Sequence, residues 1–224
     1  MTRYYPIMLR LEGETCLVIG GGPVAERRTR GLLDAGAAVR VVAPDVTGGL
    51  ARLAEEGYIT WISREYREED LDGVRICFAA ADRETNRRAA GEAKRRGILV
   101  NAADDREAGE FAVPSVVRRG RLLMAVTASG ASPALAARIA RDLGDRYGES
   151  WADYTEWLHL LRAAVRASVP DARERRRVLR AALDVPESEW RRDLAEGDFA
   201  ARVRALLASP APPAADDGSE EEWE

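Results

Sequence analysis

Thr15-Cys-Leu-Val-Ile-Gly20-Gly-Gly-Pro-Val-Ala25-Glu-Arg27 is the stretch on which the reading of this chain turns. A short apolar strand runs into three glycines and then into a helical sequence. Gly20, Gly22 and Ala25 stand at the spacing G-x-G-x-x-A, between a strand and a helix, as a dinucleotide-binding βαβ unit requires. Gly20 permits the tight turn off the strand. Gly22 has no side chain, so a pyrophosphate can approach the backbone, and Ala25 is small enough for the helix to pack close. The helix start then offers free N–H groups and a partial positive charge to phosphate. Taken alone, the motif also fits a purely structural glycine turn.

Working outward, a second strand, Ala38-Val-Arg-Val-Val42, ends at Ala43-Pro44-Asp45, where a Rossmann unit places its ribose contact. A carboxylate at Asp45 would bond ribose hydroxyls and repel a 2′-phosphate, which favours NAD over NADP unless Pro44 turns it away. Further strands are expected at 58–62, 74–79 and 98–101, with helices around 50–56 and 84–96 between them. This alternation predicts an α/β fold: a doubly wound parallel sheet with its ligand crevice at the carboxyl ends of the strands.

The pattern changes after Phe111. Residues 113–117 and 122–127 read as a hairpin joined by Arg118-Arg-Gly-Arg121. Ser132-Pro133 then opens a helix, with Leu135, Ile139 and Leu143 along one face. Beyond it, Trp151, Tyr154, Leu158, Leu161 and Val165 follow helical spacing up to Pro170, and further helices are expected at 171–183, around Trp190 and Leu194, and at 199–207. The expected organisation is a Rossmann domain over 1–112, a small α+β dimerisation module over 113–147, a helical domain over 148–208 and a disordered acidic tail over 209–224.

The chain has 224 residues, 46% of them hydrophobic, enough for a real core. Its net charge of −4 hides an asymmetry: the tail carries six acidic residues and no base, and without them residues 1–208 carry +2. Lys94 is the one lysine among many arginines. A mildly positive body suits an anionic ligand, whereas no basic stripe with interleaved aromatics points to nucleic acid. No run is long and apolar enough to cross a membrane, and the first residues lack the apolar core of a signal peptide, so a cytoplasmic protein is expected. Cys16 and Cys77 fall in buried strands and read as reduced core thiols, without metal-ligand spacing.

Candidate chemistry sits at Asn101-Ala-Ala-Asp104-Asp105, just past a strand end. A partly buried carboxylate there can accept a proton from a substrate; the two aspartates fit the capping of a loop or helix equally well. His159, the single histidine, lies mid-helix among leucines, where a packing or surface role is expected, and one histidine cannot build a multi-histidine metal site. Arg118, Arg119 and Arg121 form a basic turn suited either to carboxylates or to plain solvation.

Together these pieces resemble the precorrin-2 dehydrogenase / sirohydrochlorin ferrochelatase family of sirohaem synthesis. The resemblance runs through Tyr5-Pro-Ile-Met-Leu, the glycine stretch to Arg28 (a lysine in the family), Val41-Val-Ala-Pro44, and Ala79-Ala-Ala-Asp82 through Asn86. It continues through Asn101-Ala-Ala-Asp104-Asp105, Phe111-Ala-Val-Pro114-Ser115 and Ala125 to Ala136. The resemblance implies NAD-dependent oxidation of the tetrapyrrole precorrin-2 to sirohydrochlorin, Fe²⁺ insertion in some members, and a homodimer. It puts the catalytic aspartate on Asp104. Cofactor contacts fall on Gly22, Pro23, Val24, Ala43 and Pro44, with Ala80 and Ala81 beside them, adding to Gly20 and Asp45. Substrate contacts are expected at Asn101, Arg119 and Ser132. Two positions depart from the pattern: Ala128 replaces a hydroxyl residue, and Ser129 replaces a glycine of the loop beside the substrate. Three readings stand: an enzyme that oxidises and also inserts iron, a dehydrogenase only, and a non-catalytic NAD(H)-sensing module.

Overall fold

The computed structural model describes residues 4–105 and 107–209. The expected disordered tail, Ser209 apart, lies outside the described residues. The described residues form two compact units, divided between Val113 and Pro114.

In the first unit five strands, β1 (Thr15–Ile19), β2 (Ala38–Val42), β3 (Ile59–Ile62), β4 (Ile76–Ala79) and β5 (Leu99–Ala102), pair in parallel in the order β3-β2-β1-β4-β5. Helices α1 (Pro23–Leu33), α2 (Gly48–Glu55) and α3 (Arg83–Arg95) form the connections, with a short 3-10 turn at Glu68–Leu71 that the sequence reading lacked. The strand order reverses between β1 and β4, which creates the ligand crevice of an open parallel sheet. Because side chains alternate along a strand, each face gets its own core. Leu17, Ile19, Cys77, Ala79 and Val100 pack with Ala89, Ala90 and Ala93 of α3, whereas Cys16, Val18, Val39, Val41 and Phe78 pack with Ala25 and Leu32 of α1 and Leu50 of α2. The two thiols therefore face opposite sides of the sheet and cannot pair. Burial, with Glu14 adding to it, pushes Cys16 up to about 11, and burial alone pushes Cys77 up to about 12, so both are unreactive thiols at neutral pH.

The second unit opens with the antiparallel hairpin β6 (Ser115–Arg119) and β7 (Leu122–Val126), followed by α4 (Pro133–Arg146). Helices α5 (Ser150–Ser168), α6 (Ala172–Ala181), α7 (Glu187–Glu196) and α8 (Phe199–Ala208) complete it. Ser132 caps α4 by accepting from the Leu135 N–H at 3.1 Å, and Asp171 and Asp198 cap α6 and α8 likewise. The stripe expected on α5 is shifted: Trp157, Leu161 and Val165 are fully buried, with Tyr154 and Leu158 only partly so. The shift follows from Trp157, whose indole N–H reaches the Asp193 carboxylate on α7 at 3.0 Å. On α4 the buried residues are Ala136 and Ala140, while Leu135 and Ile139 remain 48% and 40% exposed. Ser129 keeps a left-handed φ of +48°, so the loop holds a glycine-like conformation despite the substitution noted in the sequence. Among the described residues no helix is long and apolar enough to cross a membrane.

Candidate dinucleotide and substrate site

The carboxyl ends of β1, β2 and β4 open onto a cleft of about 540 Å³, lined by Gly20, Gly21, Ala43, Pro44 and Asp45 on one side and by Tyr66, Asp82, Thr85 and Arg88 on the other. Gly20 turns the chain off β1 with φ +114°, a conformation closed to L side chains, and a Cβ there would lie 2.3 Å from the Ala80 carbonyl. Gly22 is the N-cap of α1 and has no side-chain cap hydrogen bond; nothing lies within 4 Å of where its Cβ would be. The first N–H groups of α1 are thus left to an external acceptor, beside a position where backbone can be approached. Ala25 is fully buried, as close packing of α1 on the sheet demands.

Gly21, an unspecified position of the motif, is the most crowded of the three glycines. Its Cβ would meet the Asp45 carbonyl oxygen at 1.9 Å, because the loop after β2 folds directly onto it and the Thr47 N–H donates to the Gly21 carbonyl at 2.9 Å. Glu26 reinforces this closure by accepting from the Thr47 hydroxyl and from Arg30, which together hold its carboxyl below the usual range. We expect Gly21→Ala to push the two loops apart, at a cost of about 1–3 kcal/mol in stability, and to abolish dinucleotide binding; calorimetric titration with NAD⁺ on folded protein checks this.

Ala43 and Pro44 are pinned from β3 and the residue that follows it: the Trp61 indole N–H donates to the Ala43 carbonyl at 2.9 Å and the Ser63 hydroxyl to that of Pro44 at 3.1 Å. Asp45 is exposed, has no side-chain partner among the described residues and lines the cleft, so Pro44 does not turn it away.

Of the aspartate pair, Asp105 is the cap: its Oδ1 accepts from the Glu107 and Ala108 N–H groups at 2.9 and 3.2 Å. Asp104 has one hydrogen-bond partner among the described residues: Asn86 Nδ2 donates to its Oδ1 at 2.6 Å, and Oδ2 has no hydrogen bond to any of them. The partial burial expected for this carboxylate is not found. Asp104 is exposed, because it lies past the end of β5 and, among the described residues, only the Asn86 amide is bonded to it.

Asn86 is the residue the sequence reading left without a role. It is 1% exposed on α3; its Oδ1 accepts from the Ala81 N–H at 2.9 Å and its Nδ2 donates to the Ala81 carbonyl at 3.1 Å as well as to Asp104. A single buried amide thus ties the loop after β4, with Ala80 and Ala81, to the candidate base after β5. The clue available in the sequence was an asparagine one turn into a helix capped by Asp82, too short in reach to bond anything but the strand-end loops.

The three residues expected to touch substrate all have partners within their own unit. Asn101 Nδ2 donates to the Phe111 carbonyl at 2.8 Å, and Ser132 caps α4. Arg119 donates to the Arg118 and Gly144 carbonyls and faces Glu149 at 3.3 Å. Asn101 belongs to the first unit with Asp104, whereas Arg119 and Ser132 belong to the second. His159 is exposed on α5. Among the described residues no group of three or more His, Cys, Asp or Glu side chains is arranged to hold a metal.

A parallel sheet with this strand order, a glycine cradle at its switch point and an uncapped helix behind it define a Rossmann-type dinucleotide-binding protein. Residues 7–115 match the NAD_binding_7 family of NAD(P)-binding domains. A siroheme synthase of Chromobacterium violaceum is 40% identical over 82% of this chain and 39% of its own length. A precorrin-2 dehydrogenase of Priestia megaterium is 35% identical over 72% of this chain and 80% of its own length. The solved structure of SirC, a precorrin-2 dehydrogenase, superposes with a TM-score of 0.74 at 30% identity, covering 90% of this chain and all of SirC. The chain belongs to the precorrin-2 dehydrogenase / siroheme synthase family. It spans about two fifths of the siroheme synthases it matches.

Proposed function

We propose that this protein oxidises precorrin-2 to sirohydrochlorin, with NAD⁺ as the hydride acceptor. The carrying observation is the Asp104 carboxylate at the open end of the sheet, fixed through Asn86 to the same loop, Ala80–Ala81, that borders the glycine cradle. Gly20, Gly21 and Gly22 with the start of α1 receive the pyrophosphate, and Pro23, Val24, Ala43 and Pro44 flank it. When bound, the nicotinamide supplies the hydride acceptor. Loss of a hydride from the reduced macrocycle must be matched by loss of a proton, and Asp104 Oδ2 takes it; Asn86 on Oδ1 keeps the other oxygen presented. A sensor that only binds NAD(H) needs no carboxylate at this position.

NAD is favoured over NADP. Among the described residues, Asp45, Glu65, Asp82 and Glu84 line the cleft against one guanidinium, that of Arg88, which hydrogen-bonds to the Tyr66 carbonyl. A 2′-phosphate entering there meets repulsion and no free arginine fork. Asn101, Arg119 and Ser132 are the proposed substrate contacts, each held by hydrogen bonds within its own unit. We place the protein in the cytoplasm.

We also propose a homodimer formed through the hairpin and α4, a dimerisation module within the second unit. Val116 at 49% exposure, Leu135 and Ile139 are apolar, uncovered and close in the sequence of elements, while the opposite face of α4 is spent on the hairpin. Ile139→Glu should give a monomer at micromolar concentration in light scattering, where the parent is a dimer; a dimeric Ile139→Glu variant removes α4 from the interface.

Anaerobic turnover of precorrin-2 with NAD⁺ or NADP⁺, with and without Fe²⁺, tests the reading. NADH formation with NAD⁺ preferred is expected. Sirohaem appearing only when Fe²⁺ is added assigns iron insertion as well, with Fe²⁺ as a substrate, and its absence leaves a dehydrogenase only.

A further inference from the structure

Arg28 has no assigned role, and its surroundings are unusual. It lies on α1, its guanidinium 5.7 Å over the ring of Phe78. Phe111 meets Phe78 edge-on at 5.3 Å. The Arg28 Nε is buried without a hydrogen-bond partner, and among the described residues no carboxylate or carbonyl pairs with any part of this guanidinium. Other partly buried arginines of the same unit are matched: Arg64 forks onto Asp70 at 2.6 and 2.8 Å and Arg40 bonds the Asp70 carbonyl. Burial, then the neighbouring Arg27, lowers the Arg28 guanidinium from its ordinary value, but an arginine stays charged under any working condition. Arg28 is partly buried, and a shielded Nε–H without an acceptor is costly to keep, so its place in the fold matters.

That place is beside the candidate site. Phe78 is the residue before the last of β4, and it pairs in register with Asn101 of β5, which leads on to Asp104. Phe78 belongs to the α1 face of the sheet, and the Asn101 amide holds the backbone of Phe111 against it. Arg28 sits in the second turn of α1, past the N–H groups assigned to the pyrophosphate.

We propose that Arg28 is a substrate-anchoring residue that binds a carboxylate side arm of the tetrapyrrole, on the α1 face next to Asn101. This rests on the function proposed above, whose substrate is a macrocycle bearing several carboxylates. The Phe78 ring covers one face of the guanidinium, and the two Nη groups, which have no partner among the described residues, are left to a bidentate carboxylate, the geometry arginine favours.

The test compares Arg28→Gln, Arg28→Lys and Arg28→Met with the parent, each first shown to fold by its thermal transition. Arg28→Gln should raise KM for precorrin-2 about tenfold to a hundredfold, the loss of one charge-assisted hydrogen bond. kcat and the Kd for NAD⁺ should stay within about twofold, and Arg28→Lys should recover much of the loss. Direct binding of sirohydrochlorin, followed by its absorbance, should weaken by the same factor and depend less on salt in Arg28→Gln. An unchanged KM in a folded Arg28→Gln or Arg28→Met overturns the proposal and leaves Arg28 as a stacking residue. A raised Kd for NAD⁺ with unchanged KM for precorrin-2 overturns it in favour of a dinucleotide contact. If the parent forms no NADH yet binds sirohydrochlorin through Arg28, the anchoring stands and the proposed reaction falls.

Discussion

Asp104→Ala should lower the rate of NAD⁺-dependent precorrin-2 oxidation by about 10²–10⁴-fold, the range general-base catalysis supplies, while NAD⁺ binds as before. The reason is local. Among the described residues Asp104 hydrogen-bonds to Asn86 alone and stands outside the pyrophosphate cradle, so its removal takes away a proton acceptor without disturbing Gly20 to Gly22. Asp105→Ala should behave differently, because Asp105 caps the loop that follows β5; it should loosen that loop and affect activity less. Single-turnover rates and calorimetric NAD⁺ titrations on both variants check the contrast. Full activity in Asp104→Ala would remove the proton-acceptor role.

Asp193→Ala should be the most destabilising single change in the helical part of the second unit, by about 3–5 kcal/mol, the usual cost of stripping one partner from a buried ion pair. Asp193 receives the Arg202 guanidinium at 2.7 and 3.1 Å and the Trp157 indole N–H at 3.0 Å, with Arg202 and Asp193 both nearly excluded from solvent. That pairing, first with Asp193 and then with Glu189, raises Arg202 above its ordinary value. Without Asp193, Arg202 retains only Glu189, at 2.6 Å, and the indole N–H is left unbonded against the apolar core. Asp193→Asn, which can still accept from Trp157, should cost less. Denaturant unfolding followed by tryptophan fluorescence gives both values, and an Asp193→Ala loss below about 1 kcal/mol would contradict the buried-pair argument.

The glycine stretch revealed the architecture because its spacing encodes backbone geometry directly: a turn at Gly20, an open approach at Gly22 and close packing at Ala25. Alternating apolar strands and helices did the same for the parallel sheet. Contacts between residues far apart in sequence were not legible. Gly21 is squeezed by the loop after β2, and Asn86 joins Ala81 to Asp104; neither relation leaves a local pattern. The two aspartates looked alike in sequence, and only the direction of the Glu107 and Ala108 N–H groups separates a cap from a candidate base. On α5, helical spacing pointed to a stripe through Trp151 and Tyr154, and it is the Asp193 acceptor on a distant helix that turns Trp157 inward instead.

The most direct test is to follow NADH and sirohydrochlorin together after mixing the protein anaerobically with precorrin-2 and NAD⁺. The account predicts that the two appear in equal amounts and at the same rate. NAD⁺ binding without any NADH would contradict it, and would make this chain a nicotinamide-binding module that leaves the macrocycle untouched.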